Sequence, residues 1–199
     1  MRKNAINNNT TKKYIFILTL IWIILDILTM LYINNEFLSN ADENFIRTAK
    51  ISSYLTILIN SSLIPFFTLL LFLMPWYLSN LLEINLKKED VLEAVFYFIL
   101  CFVFYEVFRF INAFLFLANN VNISPISNNF DMYVTNLAWY KIQQIMDIIL
   151  IFTSTLIFTI VLKNKSKLNL KKLLPFSILV LILLFTYNYK LIVYIYNKL

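Results

Sequence analysis

"LEAVFYFILCFVFYEVFRFINAFLFLA", residues 92–118, decides the fold. Its charged side chains are Glu93 at the edge and Glu106 and Arg109 well inside, and nearly everything else is aromatic or aliphatic. About 20 residues of this kind form a helix that crosses a hydrocarbon core of roughly 30 Å, and no soluble domain needs so long an unbroken apolar run. The stretch reads as a transmembrane helix carrying an acid and a base three residues apart in its interior.

The rest of the chain agrees. Of 199 residues 60% are hydrophobic and 14% charged, a balance typical of an integral membrane protein. Further apolar runs place spans at about 14–33, 51–79, 142–162 and 173–195, making five with 92–118. The first is twice the length of a signal-peptide core and no small-residue cleavage site follows it, so it reads as a retained span. Residues 1–13 form a basic N-terminus and 196–199 a short tail. The fold class expected is all-α, a single polytopic bundle over residues 14–195 joined by polar connections at 34–50, 80–91, 119–141 and 163–172.

Two residue types are missing, and their absence excludes whole classes of chemistry. With no glycine, the Walker loop, the dinucleotide fingerprint and the GxxxG packing motif are ruled out, because each needs a backbone position that only glycine tolerates. With no histidine, His-dependent triads and HExxH zinc chemistry go too. Cys101 is the only cysteine; it permits no internal disulfide and reads as a packed thiol. An intramembrane aspartyl pair, Asp26 with Asp147, is conceivable, but the glycine-containing motifs of such enzymes are absent. The expectation is a non-enzymatic protein without cofactor or metal.

Lysine and arginine near span ends favour the cytoplasmic side. With the N-terminus inside, the inner segments carry eleven basic residues, among them Lys163, Lys165, Lys167, Lys171 and Lys172, while the outer segments carry Arg47, Lys50, Lys141, Lys190 and Lys198. The C-terminus is then outside, with Lys190 reaching the outer interface along its own aliphatic stem. Trp76 with Tyr77 and Trp139 with Tyr140 fit the aromatic belts at the two interfaces. The segment "LKNKSKLNLKK", residues 162–172, sets topology and is dense enough to attract anionic head groups or a partner. Asp42 is a candidate cap for the second helix.

At about 1.5 Å of rise per residue, the polar residues inside the spans can be placed by depth. Asp26, Asn112 and Asp147 come to about 10 Å below the outer surface, with Gln143 and Gln144 above Asp147, Asn60 at about 14 Å, and Arg109 and Glu106 progressively deeper. Four spans thus bring polar groups to one layer: Asp26, Asn60, Glu106, Arg109, Asn112, Gln144 and Asp147. Pro65 removes a backbone donor from the second span at the same layer and predicts a kink there. A charge at a helix centre opposes insertion by about 2.5–3.5 kcal/mol, so these groups must be paired or reached by water. Glu106 and Arg109, one turn apart, can pair within their helix, leaving Arg109 donors for Asp147 or Asp26. Two readings stand side by side. In one the layer locks the helices together; in the other it is a polar pathway for a proton, an ion or a small polar ligand, with three acids against one arginine.

The stretch "FDMYVTNLAWYKIQQIMDIILIFTSTLIFTIVLKNKSKLNLKKLLPFSIL", residues 130–179, puts an acid and aromatics at the start of the fourth span, then a short basic loop and a last apolar span. With "ENFIRTAKISSYLTILINSSLIPFF", residues 43–67, leading into the second span, the layout over residues 14–195 resembles the bacterial Yip1-type membrane proteins. The resemblance implies a non-enzymatic polytopic protein of the cell membrane, related to eukaryotic factors that shape membranes or recruit small GTPases, and it carries over no catalytic residue. The partners expected are the lipid bilayer and, within it, another membrane protein or a second copy of the chain, not nucleic acid. Two further functions fit the same chain: a small transporter or exporter subunit that uses the polar layer, and an immunity protein that meets a membrane-active toxin through its outer loops.

Overall fold

The computed structural model describes residues 2–38, 43–117 and 134–188, with side chains described for 9–38, 50–117 and 134–188. Five long helices make up most of the described residues: α1 Arg2–Leu38, α2 Glu43–Leu81, α3 Lys88–Phe116, α4 Ala138–Ser166 and α5 Leu170–Tyr187. Each is long and apolar enough to cross a bilayer, and no strand occurs among the described residues. The all-α class and the five spans are as expected. The outer loop around residues 119–133, the Asp42 cap, the last part of the fifth span beyond Asn188 and the tail at 196–199 lie outside the described residues.

The helices run past the apolar stretches that announce them. Hydrophobicity marks where lipid begins, whereas the backbone, which satisfies its own hydrogen bonds only as a helix, has no reason to unwind at that depth. The expected connection at 163–172 accordingly shrinks to residues 167–169, with Lys163 and Lys165 in the last turn of α4 and Lys171 and Lys172 in the first turn of α5. The first pair complements the negative end of its helix and the second opposes the positive end of its own. The residues at the N-caps of α3, α4 and α5 make no side-chain cap bond. α2 stays helical through both Pro65 and Pro75.

A chain without glycine still has to turn. Among the described residues, the two positions with a left-handed backbone are Glu83, after α2, and Lys167, after α4. After α2 the turn closes with the Ile84 N–H donating to the Ser79 carbonyl at 2.9 Å; after α4 the Lys167 N–H donates to the Lys163 carbonyl at 3.0 Å. A side chain with a Cβ is strained in this conformation by about 1–2 kcal/mol, and glycine is not. Lys167→Gly is therefore expected to stabilise the folded protein by about 0.5–1 kcal/mol, read as a rise in the midpoint of SDS-induced unfolding. An unchanged or lowered midpoint would contradict it.

α3 is the centre of the bundle: it packs against α1, α2 and α4, while α2 also meets α1 and α5, and α4 meets α5. In its most apolar stretch 44% of residues are buried, against 22% to 33% in the other four helices. All five helices contribute to one aromatic core. Trp22 of α1 lies 4.5 Å from Phe102 of α3 between ring centres, Phe98 stacks on Phe102 at 4.9 Å, Phe67 of α2 stacks on Tyr187 of α5 at 4.5 Å, and Phe158 of α4 meets Phe98 edge-on. A second, smaller apolar cluster of Ile33, Ala113, Leu117 and Trp139 sits toward the C-terminal end of α3. The polar layer lies between the two. Most hydroxyls elsewhere in the spans donate to carbonyls one turn back, as Thr19 does to Ile15 and Thr155 to Ile151, so they need no partner helix; the buried Ser53 Oγ has no partner among the described residues. Thr159 and Ser177 also donate one turn back and in addition meet each other, bridging α4 and α5 at 2.8 Å.

Candidate functional site

The layer is built around one guanidinium. Arg109 stands one turn after Glu106 on the buried side of α3, and its Nη1 donates to both Glu106 oxygens at 3.2 and 3.3 Å and to Oδ1 of Asp26 on α1 at 2.9 Å. The other terminal nitrogen, Nη2, approaches the Met30 sulfur at 3.3 Å. The second oxygen of Asp26 accepts from the Ser61 hydroxyl of α2 at 3.1 Å. One nitrogen is thus shared by two carboxylates, and three helices are tied at that point. Asp26 is 6% exposed and Glu106 4%, which takes both carboxylates out of the reach of lipid.

The fourth helix joins through a separate triad. Asp147 of α4 accepts from the Tyr105 hydroxyl of α3 and, at 2.9 Å, from Gln143 one turn before it on α4; Gln143 also donates to the Tyr105 oxygen. Tyr105 immediately precedes Glu106, so α3 presents both halves of the layer, the ion cluster toward α1 and α2 and the tyrosine toward α4. Of the two acids expected within reach of Arg109, it bonds Asp26, while Asp147 takes uncharged donors.

The other expected members take different places. Asn112 is buried but works one turn further along α3, where its Nδ2 donates to the Trp139 carbonyl at 3.2 Å and fixes the start of α4. Gln144 is buried with its Oε1 unpartnered among the described residues. Asn60 is half-buried and makes no side-chain hydrogen bond among the described residues, so the neighbouring Ser61 is the residue that brings α2 into the layer. Tyr105, Gln143 and Ser61 are the participants that a reading for charge alone passes over. The spacing held a signal for one of them: Gln143 is four residues before its partner Asp147, on the same helical face.

Beside the layer an apolar groove of about 510 Å3 runs between α3 and α4, walled by Phe104, Phe108, Ile111, Met146 and Ile149, with Tyr105 among its lining residues. At the opposite end of the bundle the lysines are exposed. Lys165 pairs with Glu93 at 2.7 Å, joining the end of α4 to the start of α3, and Lys88 lies over the Trp76 ring at 4.1 Å. A solvent-facing pair of this kind is worth under about 1 kcal/mol. Lys163, Lys167, Lys171 and Lys172 remain exposed at this end, clustered around the α4–α5 connection.

No family model, curated protein or solved structure matches the chain. The chemistry of the layer and of the surfaces around it therefore carries the functional reading.

Proposed function

We propose that this integral membrane protein is non-enzymatic, resides in the cell membrane with its N-terminus cytoplasmic and C-terminus outside, and acts through contacts made within and beside the bilayer, in the manner of the Yip1-type proteins it resembles. The observation that carries this reading is that every charged group of the polar layer is engaged by a partner within the bundle. Arg109 is engaged by Asp26 and Glu106, Asp26 also by Ser61, and Asp147 by Tyr105 and Gln143. Such a layer acts as a lock that aligns four helices. Interhelical hydrogen bonds in membranes stabilise modestly one by one, about 0.6 kcal/mol on average, but they specify which faces meet. The surfaces left to do work are the lipid-facing helix sides and the lysine cluster, whose exposed Lys163, Lys167, Lys171 and Lys172 suit anionic head groups or an acidic partner.

One observation favours the transport reading: three buried or half-buried acids, Asp26, Glu106 and Asp147, face a single arginine. The two readings separate in vesicles of phosphatidylcholine and phosphatidylglycerol that contain the purified full chain and an internal pH dye. A lock leaves an imposed pH gradient decaying as slowly as in protein-free vesicles, with or without sodium or potassium. Faster decay that Asp147→Asn abolishes would overturn the lock and make the layer a pathway.

A further inference from the structure

Several polar atoms of the spans lack a partner among the described residues, Gln144 Oε1 and Ser53 Oγ among them, and these are enclosed by the bundle; Asn60 differs in standing at the margin of an exposed helix face. It lies ten residues after Lys50 at the start of the second span, about 15 Å along the helix and inside the apolar stretch. It is half-buried, and its amide bonds to nothing among the described residues of its own bundle. In lipid an amide with no partner is expensive, because no water replaces the missing bonds. The face on which it stands is unusual too. Ser52 and Thr56 precede it at intervals of four, both exposed and both small, and Ile59 and Leu63 beside it are 52% and 45% exposed. Thr56 already donates to the Ser52 carbonyl at 2.9 Å, which meets its own demand within the helix, whereas the carboxamide of Asn60, with both a donor and an acceptor, meets none of its own among the described residues.

From this face we infer that the protein forms a parallel two-fold dimer through α2, with the Asn60 amides of the two copies bonded to each other. Copies inserted with the same topology carry Asn60 at the same depth, so a two-fold axis along the membrane normal brings the two amides level. A carboxamide is complementary to itself: each offers an N–H and a carbonyl oxygen, and a reciprocal pair satisfies both molecules. Ser52 and Thr56 let the two backbones approach closely, the role small residues play at membrane helix interfaces, and one that a chain without glycine must give to other residues. The bilayer-facing side of α2 is thus the contact surface and a second copy of this chain its occupant.

Donor- and acceptor-labelled full chain in phosphatidylcholine vesicles, diluted with lipid, reports the dimer by energy transfer. Asn60→Leu should weaken association about three- to thirtyfold, the range expected for membrane hydrogen bonds, with its SDS-unfolding midpoint unchanged because no internal bond is lost; Asn60→Gln should restore most of the affinity. In a Cys101→Ser background, Thr56→Cys should oxidise to a disulfide-linked dimer, and Ile182→Cys, on an exposed face of α5, should not. A wild-type chain monomeric at every lipid ratio, an affinity unmoved by Asn60→Leu, or cross-linking at Ile182→Cys in place of Thr56→Cys would each overturn the inference. The first of these outcomes would leave the amide to a different membrane protein.

Discussion

Arg109→Met is expected to destabilise the bundle by about 3–5 kcal/mol, the largest effect of any single substitution in the layer. Among the described residues, the side chain removed is the only cation bonded to Asp26 and Glu106, and it is shared between them through one nitrogen. Its loss leaves two buried acids side by side with no charge opposite, and they must either repel each other or take up protons. Methionine keeps the length and apolar bulk of the stem, so the effect reads the charge and not a cavity. Equilibrium unfolding by SDS, or trapping of the unfolded state in bicelles, measures it. The triple change Asp26→Asn, Glu106→Gln, Arg109→Met should recover most of the loss, because removing both signs is far cheaper than stranding one. If the single variant loses under about 1 kcal/mol, water already reaches the cluster, and the self-closed lock is wrong.

Phe102→Ala should come next, at about 3 kcal/mol. Phe102 is 1% exposed and touches rings from three other helices, Trp22, Phe67 and Tyr187, as well as Phe98 and Tyr105 of its own. In a soluble core such a truncation costs about 3–5 kcal/mol, combining lost transfer from water with the cavity left behind. Here the unfolded helices still lie in lipid, which is as apolar as the core, so the transfer part falls away and the lost contacts remain. The lower end of the range is therefore the expected result. A value of about 5 kcal/mol or more would mean that unfolding carries α3 into water, which would change how every stability figure for this bundle is read. Xenon or a small arene that fits the space left by the ring should recover part of the loss.

The spans were legible because a run of some twenty apolar residues is long enough to cross a bilayer and too long for the core of a small soluble domain, and the Glu106–Arg109 pair because helical spacing alone brings i and i+3 together. The bond from Asp26 to Arg109 was legible as one of two options by depth, since rise per residue gives height in the membrane without saying which way a helix is turned. Rotation is where reading by eye fails. In "INSSL", residues 59–63, three consecutive polar residues compete to face inward, and α2 is otherwise apolar on every side at this depth, so nothing in the pattern selects Ser61 over Asn60. Tyr105 was hidden for a different reason: among so many aromatics a tyrosine reads as packing until its hydroxyl is found against a carboxylate. The lysine-rich stretch misled in length only, because helices extend beyond the lipid that hydropathy detects.

The ion cluster also sets a timetable for synthesis. Asp26 and Arg109 are 83 residues apart in the chain. At about 5–20 residues per second, the first helix leaves the ribosome roughly 4–17 s before its arginine does, and in that interval Asp26 has no counter-charge. During the wait the Ser61 hydroxyl is the partner that the first two helices can supply by themselves. The N-terminal helix pair must therefore be held at the insertion machinery, or have its acid neutralised by a proton, until α3 arrives. A ribosome stalled before residue 109 should leave an intermediate that is released into lipid more slowly, and degraded more readily, than the same length of chain carrying Asp26→Asn.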